Sequence, residues 1–486
     1  MDIIVQANQL FQQNQIPQAE QLYRQLLRDN PSNIDALWGL GKVALALDSY
    51  QPSYDIFSKC VQLYPNVAPL WLSLAQSCQR LHRYQEAEQA LLKAYEINCA
   101  YSPSVEALAI FYSQSNNLLN AKKYLEELRA IEPDNVRAFC LMVRIKVQQQ
   151  FDEKANKLLT ELRKKNSRFN VQEQILLHYA FANLFQQSKD YKPAFTHYTQ
   201  ANRLQSVNSA FSVADMENYF NVLQETFSDS LLGQLISSQS QSNQTAEQPK
   251  LTPIFIVGQP RSGSTLLEQM LINHSEIDSA GELPFLAGDI AQGIYQLTGH
   301  DFPKGCQYLT QAQCQSLGQH YLMNMQAIAP NAKFVIDKMP ANYQSIGLIK
   351  MILPHAKVIH ISRNEKAVSW SIFSNHFEAP EPYFCSLSEI EIYHQKYKQV
   401  MLHWQTVLPD FIYHLQYESL VETPKESLTS LLKFCSLSYQ DVCLEFSQEK
   451  RYIDTLSDVQ LRGGLHSEIN KTWQHYKTWL PEFFNR

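Results

Sequence analysis

Residues 253–271 read PIFIVGQPRSGSTLLEQML. An apolar β-branched run, Ile254–Val257, meets a turn of glycine, proline and serine, and an amphipathic helix then starts near Ser264. Strand, loop and helix start in this order point backbone N–H groups and the positive end of a helix dipole at one spot, which suits an anion. Gly258 and Gly263 are five apart, and Thr265 takes the terminal hydroxyl position of a phosphate-binding loop. The lysine that a nucleotide-hydrolysing loop carries after its second glycine is missing. Ser264 stands there, and the cation, Arg261, sits inside the turn. A phosphate cradle without that lysine argues for a different phosphoester. A P-loop kinase is the competing reading, and no convincing acidic magnesium ligand follows a strand to support it.

Downstream, short apolar runs alternate with helical patterns. Strands are expected at 254–257, 333–336, 357–361 and 411–415, and helices at 264–272, 311–328, 343–353, 365–373 and 388–407. The alternation implies βαβ units around a parallel sheet, with ligands at the carboxyl ends of the strands. The polar motifs cluster at such ends. The run ending at Ile361 leads into SRNEKAVSWS, with Arg363 at the turn and Ser371 eight residues on. An arginine fork with a hydroxyl near a helix start suits a dianionic phosphate. Asp337-Lys338-Met339-Pro340 follows another apolar run. Glu282, in AGELPFL, lies twenty-one residues beyond Arg261 and is a candidate general base, with His274 and His360 as rivals. Further on come Tyr417 in QYESLV, Ser457 sixteen residues before Trp473, Arg462 and Lys471.

The first half of the chain repeats. Ala19, Ser53, Ala87, Ala121 and Ala155 recur every 34 residues, and Tyr23, Phe57, Leu91, Leu125 and Leu159 follow four positions later. Pro31, Pro65 and Pro133 keep the same period, with Cys99 in the missing slot. The small residue lets two helices approach, the large one fills their core, and the proline stops the second helix. A shifted unit at 172–204 has Ala194 and Tyr198 in these roles. The pattern resembles the tetratricopeptide repeat (TPR).

PRSGSTLL resembles the 5′-phosphosulfate loop of sulfotransferases, which use 3′-phosphoadenosine 5′-phosphosulfate (PAPS). The other motifs are similar to those of tyrosylprotein sulfotransferases and their TPR-fused bacterial relatives. The resemblance implies that Arg261, Ser262, Gly263, Ser264 and Thr265 hold the 5′-phosphate, and that Arg363 and Ser371 hold the 3′-phosphate. It implies Glu282 as base, with Arg261, Lys338 and Ser457 stabilising the transferring sulfonate and the bridging oxygen. Tyr417, Arg462 and Lys471 are then nucleotide contacts, and no metal is implied. One segment departs from the family pattern. RGGLH (462–466) and Thr472 replace an RQPIY-like run and a basic residue before the tryptophan, with Lys471 one place earlier.

The expected architecture is an N-terminal all-α TPR solenoid over residues 1–205, connecting helices and a polar linker over 206–250, and a C-terminal α/β sulfotransferase domain with a P-loop-like parallel sheet over 251–486. SSQSQSNQTAEQPK (237–250) is the low-complexity part of that linker. Since every nucleotide motif lies beyond it, a fragment starting there is expected to keep the nucleotide site. With 45% hydrophobic and 18% charged residues the composition is that of a globular protein. The net charge of −6 speaks against nucleic acid as the main partner. Nine scattered cysteines without a CxxC pair read as free thiols, and the N-terminus has no basic region of a secretory signal. No run approaches the ~20 apolar residues of a membrane span. A cytoplasmic enzyme with a protein or peptide acceptor in the TPR groove is the expectation. A TPR scaffold with an inactive nucleotide-binding domain, and an enzyme for carbohydrate or a small phenol, are the alternatives.

Overall fold

The computed structural model describes residues 2–47, 49–81, 83–149, 169–206, 211–233, 251–377, 381–445 and 467–485. They fall into two compact units divided near residue 150. The first is built of paired helices: Ile3–Gln12 with Ile16–Asp29, Ile34–Ala46 with Tyr50–Leu63, Ala68–Arg80 with Tyr84–Ile97, and Ser102–Gln114 with Leu118–Ile131, followed by Val136–Gln149. The 34-residue register reappears as burial. Ala19, Ser53, Ala87 and Ala121 are fully buried, as are Tyr23, Phe57, Leu91 and Leu125 to within 1%. Each of these large side chains contributes ~1.5–3 kcal/mol by leaving water. Ser53 is the one polar member of its column, and it is satisfied: its hydroxyl donates to Gly41 O (3.1 Å) and meets Ser77 Oγ at 2.8 Å. Ala155 and Leu159 lie outside the described residues.

The second unit carries a five-stranded sheet: β1 (Thr252–Gly258), β2 (Ile277–Ser279), β3 (Phe334–Asp337), β4 (Lys357–Ser362) and β5 (Ile412–Gln416). Its order is β2-β3-β1-β4-β5, and every pairing is parallel. Ile254, Phe255, Ile256 and Val257 of the central strand are fully buried. A strand covered on both faces needs an unbroken apolar run, which is why β1 is so plain in the sequence. The edge strand β2 escaped notice because it has three residues, Ile-Asp-Ser, with only the first buried. The chain leaves β1 towards β2 but leaves β4 towards β5. The connections therefore diverge between β1 and β4, and the crevice at that switch point lies where α/β sheets bind ligands.

Two more helices, Val171–Gln187 and Tyr191–Gln205, pack within this second unit. Ala194 and Tyr198 are fully buried, as the repeat pattern anticipates. Their pair, grouped with the repeats when the sequence is divided at 205, shares an aromatic core with Trp370 and Phe373 of the helix Glu365–Phe373 and with Trp473, Tyr476 and Phe484 near the C-terminus. Polar contacts fix the register. Asn202 Nδ2 donates to Phe373 O (2.8 Å), Gln205 Nε2 to Phe377 O (3.2 Å), and Tyr476 OH to Gln186 Oε1 (2.8 Å). The helix Val213–Thr226 buries Phe220 and Leu223 in the core that extends beneath the sheet helices. Among the described residues no helix is long and apolar enough to cross a membrane.

Candidate active site

The loop after β1 is shaped by what its glycines permit. A Cβ on Gly258 would stand 2.4 Å from Ile361 O, and one on Gly263 would stand 2.3 Å from the Tyr417 ring. Gly263 also has φ 102°, a conformation that side chains resist. It precedes the helix Ser264–Leu271, which has no side-chain cap, so its first-turn N–H groups keep their capacity for a ligand. Ser262 Oγ is buried beside them without a hydrogen-bond partner. A cradle that a Cβ would fill, uncapped N–H groups and an orphaned hydroxyl fit an anion such as a phosphate.

Arg261 is left-handed at φ 68°, which costs a non-glycine residue ~1–2 kcal/mol. The turn sends its side chain towards the helix after β4, where Nε donates to Ser371 Oγ at 2.9 Å. Arg363, at the end of β4, donates from Nη1 to Arg261 O (3.0 Å) and from Nε to Asn470 Oδ1 (2.6 Å), and its guanidinium lies 4.6 Å from the Tyr417 ring centroid. The two arginines of the sequence motifs, Ser371 and Tyr417 thus meet across the switch point. Asn470 also donates to Glu418 Oε1 (3.2 Å), which accepts the Asn364 N–H at 2.9 Å. Lys471, next to Asn470, is exposed. Ser457 and Arg462 lie outside the described residues.

Lys338 follows β3 and is only 2% exposed. Its Nζ donates to Glu282 Oε1 and stands 3.9 Å from Glu268 Oε2. Burial pushes this lysine down, but Glu268, Glu282 and Asp337 together hold it above the ordinary value. Glu282 keeps nearly half of its side chain in solvent, 47%. Asp337 is fully buried, accepting from Tyr321 OH (2.5 Å) and Asn342 Nδ2 (3.0 Å), and burial pushes its carboxyl up to about 7. The rival bases are engaged elsewhere. His274 donates from Nε2 to Ser438 O (2.9 Å) and accepts the Glu276 N–H at Nδ1 (3.2 Å). His360 is held between His414 (2.9 Å) and Tyr397 OH (2.5 Å), and burial, then His414, lower it to about 3.

Residues 253–441 match the sulfotransferase family. This unit carries a sulfotransferase-family domain. Residues 12–94 match a family described as anaphase-promoting complex, cyclosome, subunit 3, within the helical repeats. An uncharacterized protein of Aquifex aeolicus is 28% identical over 81% of this chain and 51% of its own length. Protein-tyrosine sulfotransferase 1 of Danio rerio is 25% identical over 40% of this chain and 56% of its own length. The chain thus spans about half the length of these two relatives. The solved sulfotransferase domain from the curacin biosynthetic pathway is 21% identical, with 49% of this chain and 100% of its own length covered and a TM-score of 0.32.

The sulfotransferase domain also assembles groups that no motif announced. His394, on the helix Leu387–Val407, donates from Nδ1 to Gln259 Oε1 of the phosphate loop at 2.6 Å, while its Nε2 lies 3.5 Å from Glu365 Oε2. It therefore ties the loop after β1 to the helix Leu387–Val407. Burial lowers it to about 4. Glu268, Ser279 and Asn470 likewise had no signal beyond being polar, because their partners are set by the fold.

Proposed function

We propose that the chain is a PAPS-dependent sulfotransferase whose acceptor is a tyrosine hydroxyl in a polypeptide. The observation that carries this is the joining of two anion stations: Arg261 bonded to Ser371, Arg363 bonded to the backbone of Arg261, and the unpartnered Ser262 hydroxyl beside them. A nucleotide with phosphates at both ends of its ribose needs two such stations side by side. In this reading the N–H groups of 262–265 take the 5′-phosphate, and Arg363 with Ser371 takes the 3′-phosphate. Tyr417 backs the loop and Arg363. Lys471, exposed beside Asn470, is a further candidate contact, and the resemblance adds Arg462 and Ser457 to the candidates.

When bound, PAPS supplies a sulfonate on an activated bridge to its 5′-phosphate. Glu282 takes the proton of the acceptor hydroxyl as that oxygen bonds to sulfur. Lys338 and Arg261 face the bridging oxygen, which keeps the electron pair of the breaking S–O bond. The exposure of Glu282 lets it return the proton to water. The products are the sulfate ester and 3′-phosphoadenosine 5′-phosphate (PAP). The polypeptide acceptor is supported by the helical repeats, which suit protein contacts, and by the partial similarity to a protein-tyrosine sulfotransferase.

Two measurements test the reading. Calorimetry should show PAP binding at least tenfold tighter than AMP, since each charge-assisted contact to the 3′-phosphate is worth ~1.5–3 kcal/mol. Radiolabelled PAPS offered with tyrosine peptides, oligosaccharides and small phenols should label the peptides. Equal binding of PAP and AMP would overturn the donor assignment. Labelling of sugar or phenol alone would move the acceptor, and PAP binding without transfer to any acceptor would favour a scaffold.

A further inference from the structure

We propose that Glu268 is a positioning residue: it is the standing counter-ion of Lys338, keeping the ammonium charged and in place when Glu282 turns to the acceptor. The inference rests on the sulfotransferase reading above. Lys338 Nζ has two carboxylates around it, and they differ in kind. Glu282 is nearly half exposed on the loop after β2, whereas the Glu268 side chain is 8% exposed on the phosphate-loop helix. Glu282 cannot hold the ammonium fully while accepting a proton from an incoming hydroxyl. A lysine that is 2% exposed then needs another negative partner, because an unpaired buried charge is strongly disfavoured.

Glu268 is built to stay. Its Oε1 accepts from Ser279 OH at 2.5 Å, and Ser279 Oγ in turn accepts the Gly281 N–H at 3.0 Å. Gly281 O accepts the Lys338 N–H at 2.8 Å. The chain of bonds runs from the Glu268 carboxylate to the backbone of Lys338 itself and passes through the residue before Glu282. Glu268 therefore fixes the ammonium from one side and the approach of the base from the other. Among the described residues, the charged groups facing Lys338 are Glu268 from the loop helix, Glu282 from the loop after β2 and Asp337 from its own strand. Asp337 takes the Tyr321 and Asn342 hydrogen bonds on Oδ2, and its Oδ1 is buried without a hydrogen-bond partner. Glu268 is the buried carboxylate with an oxygen 3.9 Å from the ammonium.

The test follows the Lys338 ¹³Cε resonance through a pH titration in the full chain, without donor or acceptor. Glu268→Gln should lower the Lys338 midpoint by about one pH unit or more, and the Glu282→Gln/Glu268→Gln pair should lower it further than either change alone. Glu268→Asp, which withdraws the carboxylate while keeping its charge, should fall between Glu268→Gln and the wild type, and it serves if the amide variant does not fold. With PAPS and a tyrosine peptide, Glu268→Gln should lower kcat about tenfold or more, leave PAP affinity within about threefold, and move the alkaline limb of kcat to lower pH. An unchanged Lys338 midpoint in both Glu268 variants would overturn the proposal. So would a kcat loss matched by lost PAP affinity, which would mean only a damaged loop. The titration needs no turnover, so failure of the sulfotransferase reading shows separately, as a wild-type chain that transfers nothing.

Discussion

Lys338 and Glu282 show how position alone separates two charges that touch. The ammonium is sealed and the carboxylate opens to water, so only the carboxylate can exchange protons with an incoming hydroxyl. Glu282→Gln should therefore leave PAP affinity nearly unchanged and cut turnover ~10²–10⁴-fold, measured by calorimetry and by sulfonate transfer. Asp337 gives a pH prediction. Its folded value, about 7, lies above the unfolded one, so the folded state holds this proton more tightly. The resulting stability is full below the unfolded value near 4 and is lost as pH rises towards 7. Asp337→Asn, still able to accept from Tyr321, should be near neutral at pH 4 and stabilise relative to wild type at pH 8, read from urea midpoints. A larger benefit at pH 4 than at pH 8 would contradict the assignment. Of the side chains whose contacts make up the candidate site, Arg261, Lys338, Glu282, Arg363, Ser371 and Tyr417 stand out in the sequence because each follows an apolar run or keeps a fixed spacing. Glu268, Gln259, Asn470 and His394 were not: Gln259 and His394 are 135 residues apart, and Arg363 and Asn470 are 107 apart.

At the level of elements, the phosphate loop is held from three sides: by β4 at Gly258, by Tyr417 at Gly263 and by His394 at Gln259. Gly263→Ala meets both a ring 2.3 Å away and an unfavourable φ, so it should weaken PAP binding about tenfold or more. His394→Leu keeps the volume but leaves Gln259 buried without its partner. It should weaken PAP binding by about five- to tenfold, in line with ~1–3 kcal/mol for an orphaned polar group partly relieved by relaxation. Unaltered PAP affinity in His394→Leu would reduce the bridge to a packing contact. The helices 311–328 and 365–373 were readable to the residue and the longer strands to within about two residues at their ends, because burial on both faces of the sheet imposes continuous apolar runs and the helices carry clear periodicity. Over 343–353, where the sequence pattern predicts one helix, the chain forms the end of a 3-10 turn, Pro340–Ser345, followed by a shorter helix, Ile346–Ile352.

For the molecule as a whole, the helix pair 171–205 changes what a viable fragment is. A chain cut in the linker keeps the nucleotide motifs, as the sequence suggests. It also bares Trp370, Phe373 and Tyr476, on which Phe195 and Tyr198 of the pair rest. Exposing three such side chains costs roughly 1.5–3 kcal/mol each, a large part of a domain's usual 5–15 kcal/mol. A fragment starting at residue 251 should melt well below one starting at residue 169, and only the latter should bind PAP like the full chain. Equal melting temperatures by calorimetry would show that the pair is dispensable. The repeat register was visible here, but which neighbour the pair would choose was not, since a small-and-large pattern specifies how two helices meet and is silent about the third surface they cover.

Trp370 lies beside Ser371 in the chain, is 3% exposed and stacks on Tyr476 with ring centroids 4.0 Å apart. It is therefore an optical gauge already built into the molecule. Of the six tryptophans, it alone adjoins a residue assigned to the 3′-phosphate. Titrating PAP into the full chain should change the emission at excitation selective for indole, and Trp370→Phe should erase most of that change while binding by calorimetry persists. AMP, which lacks the 3′-phosphate, should leave the signal almost still.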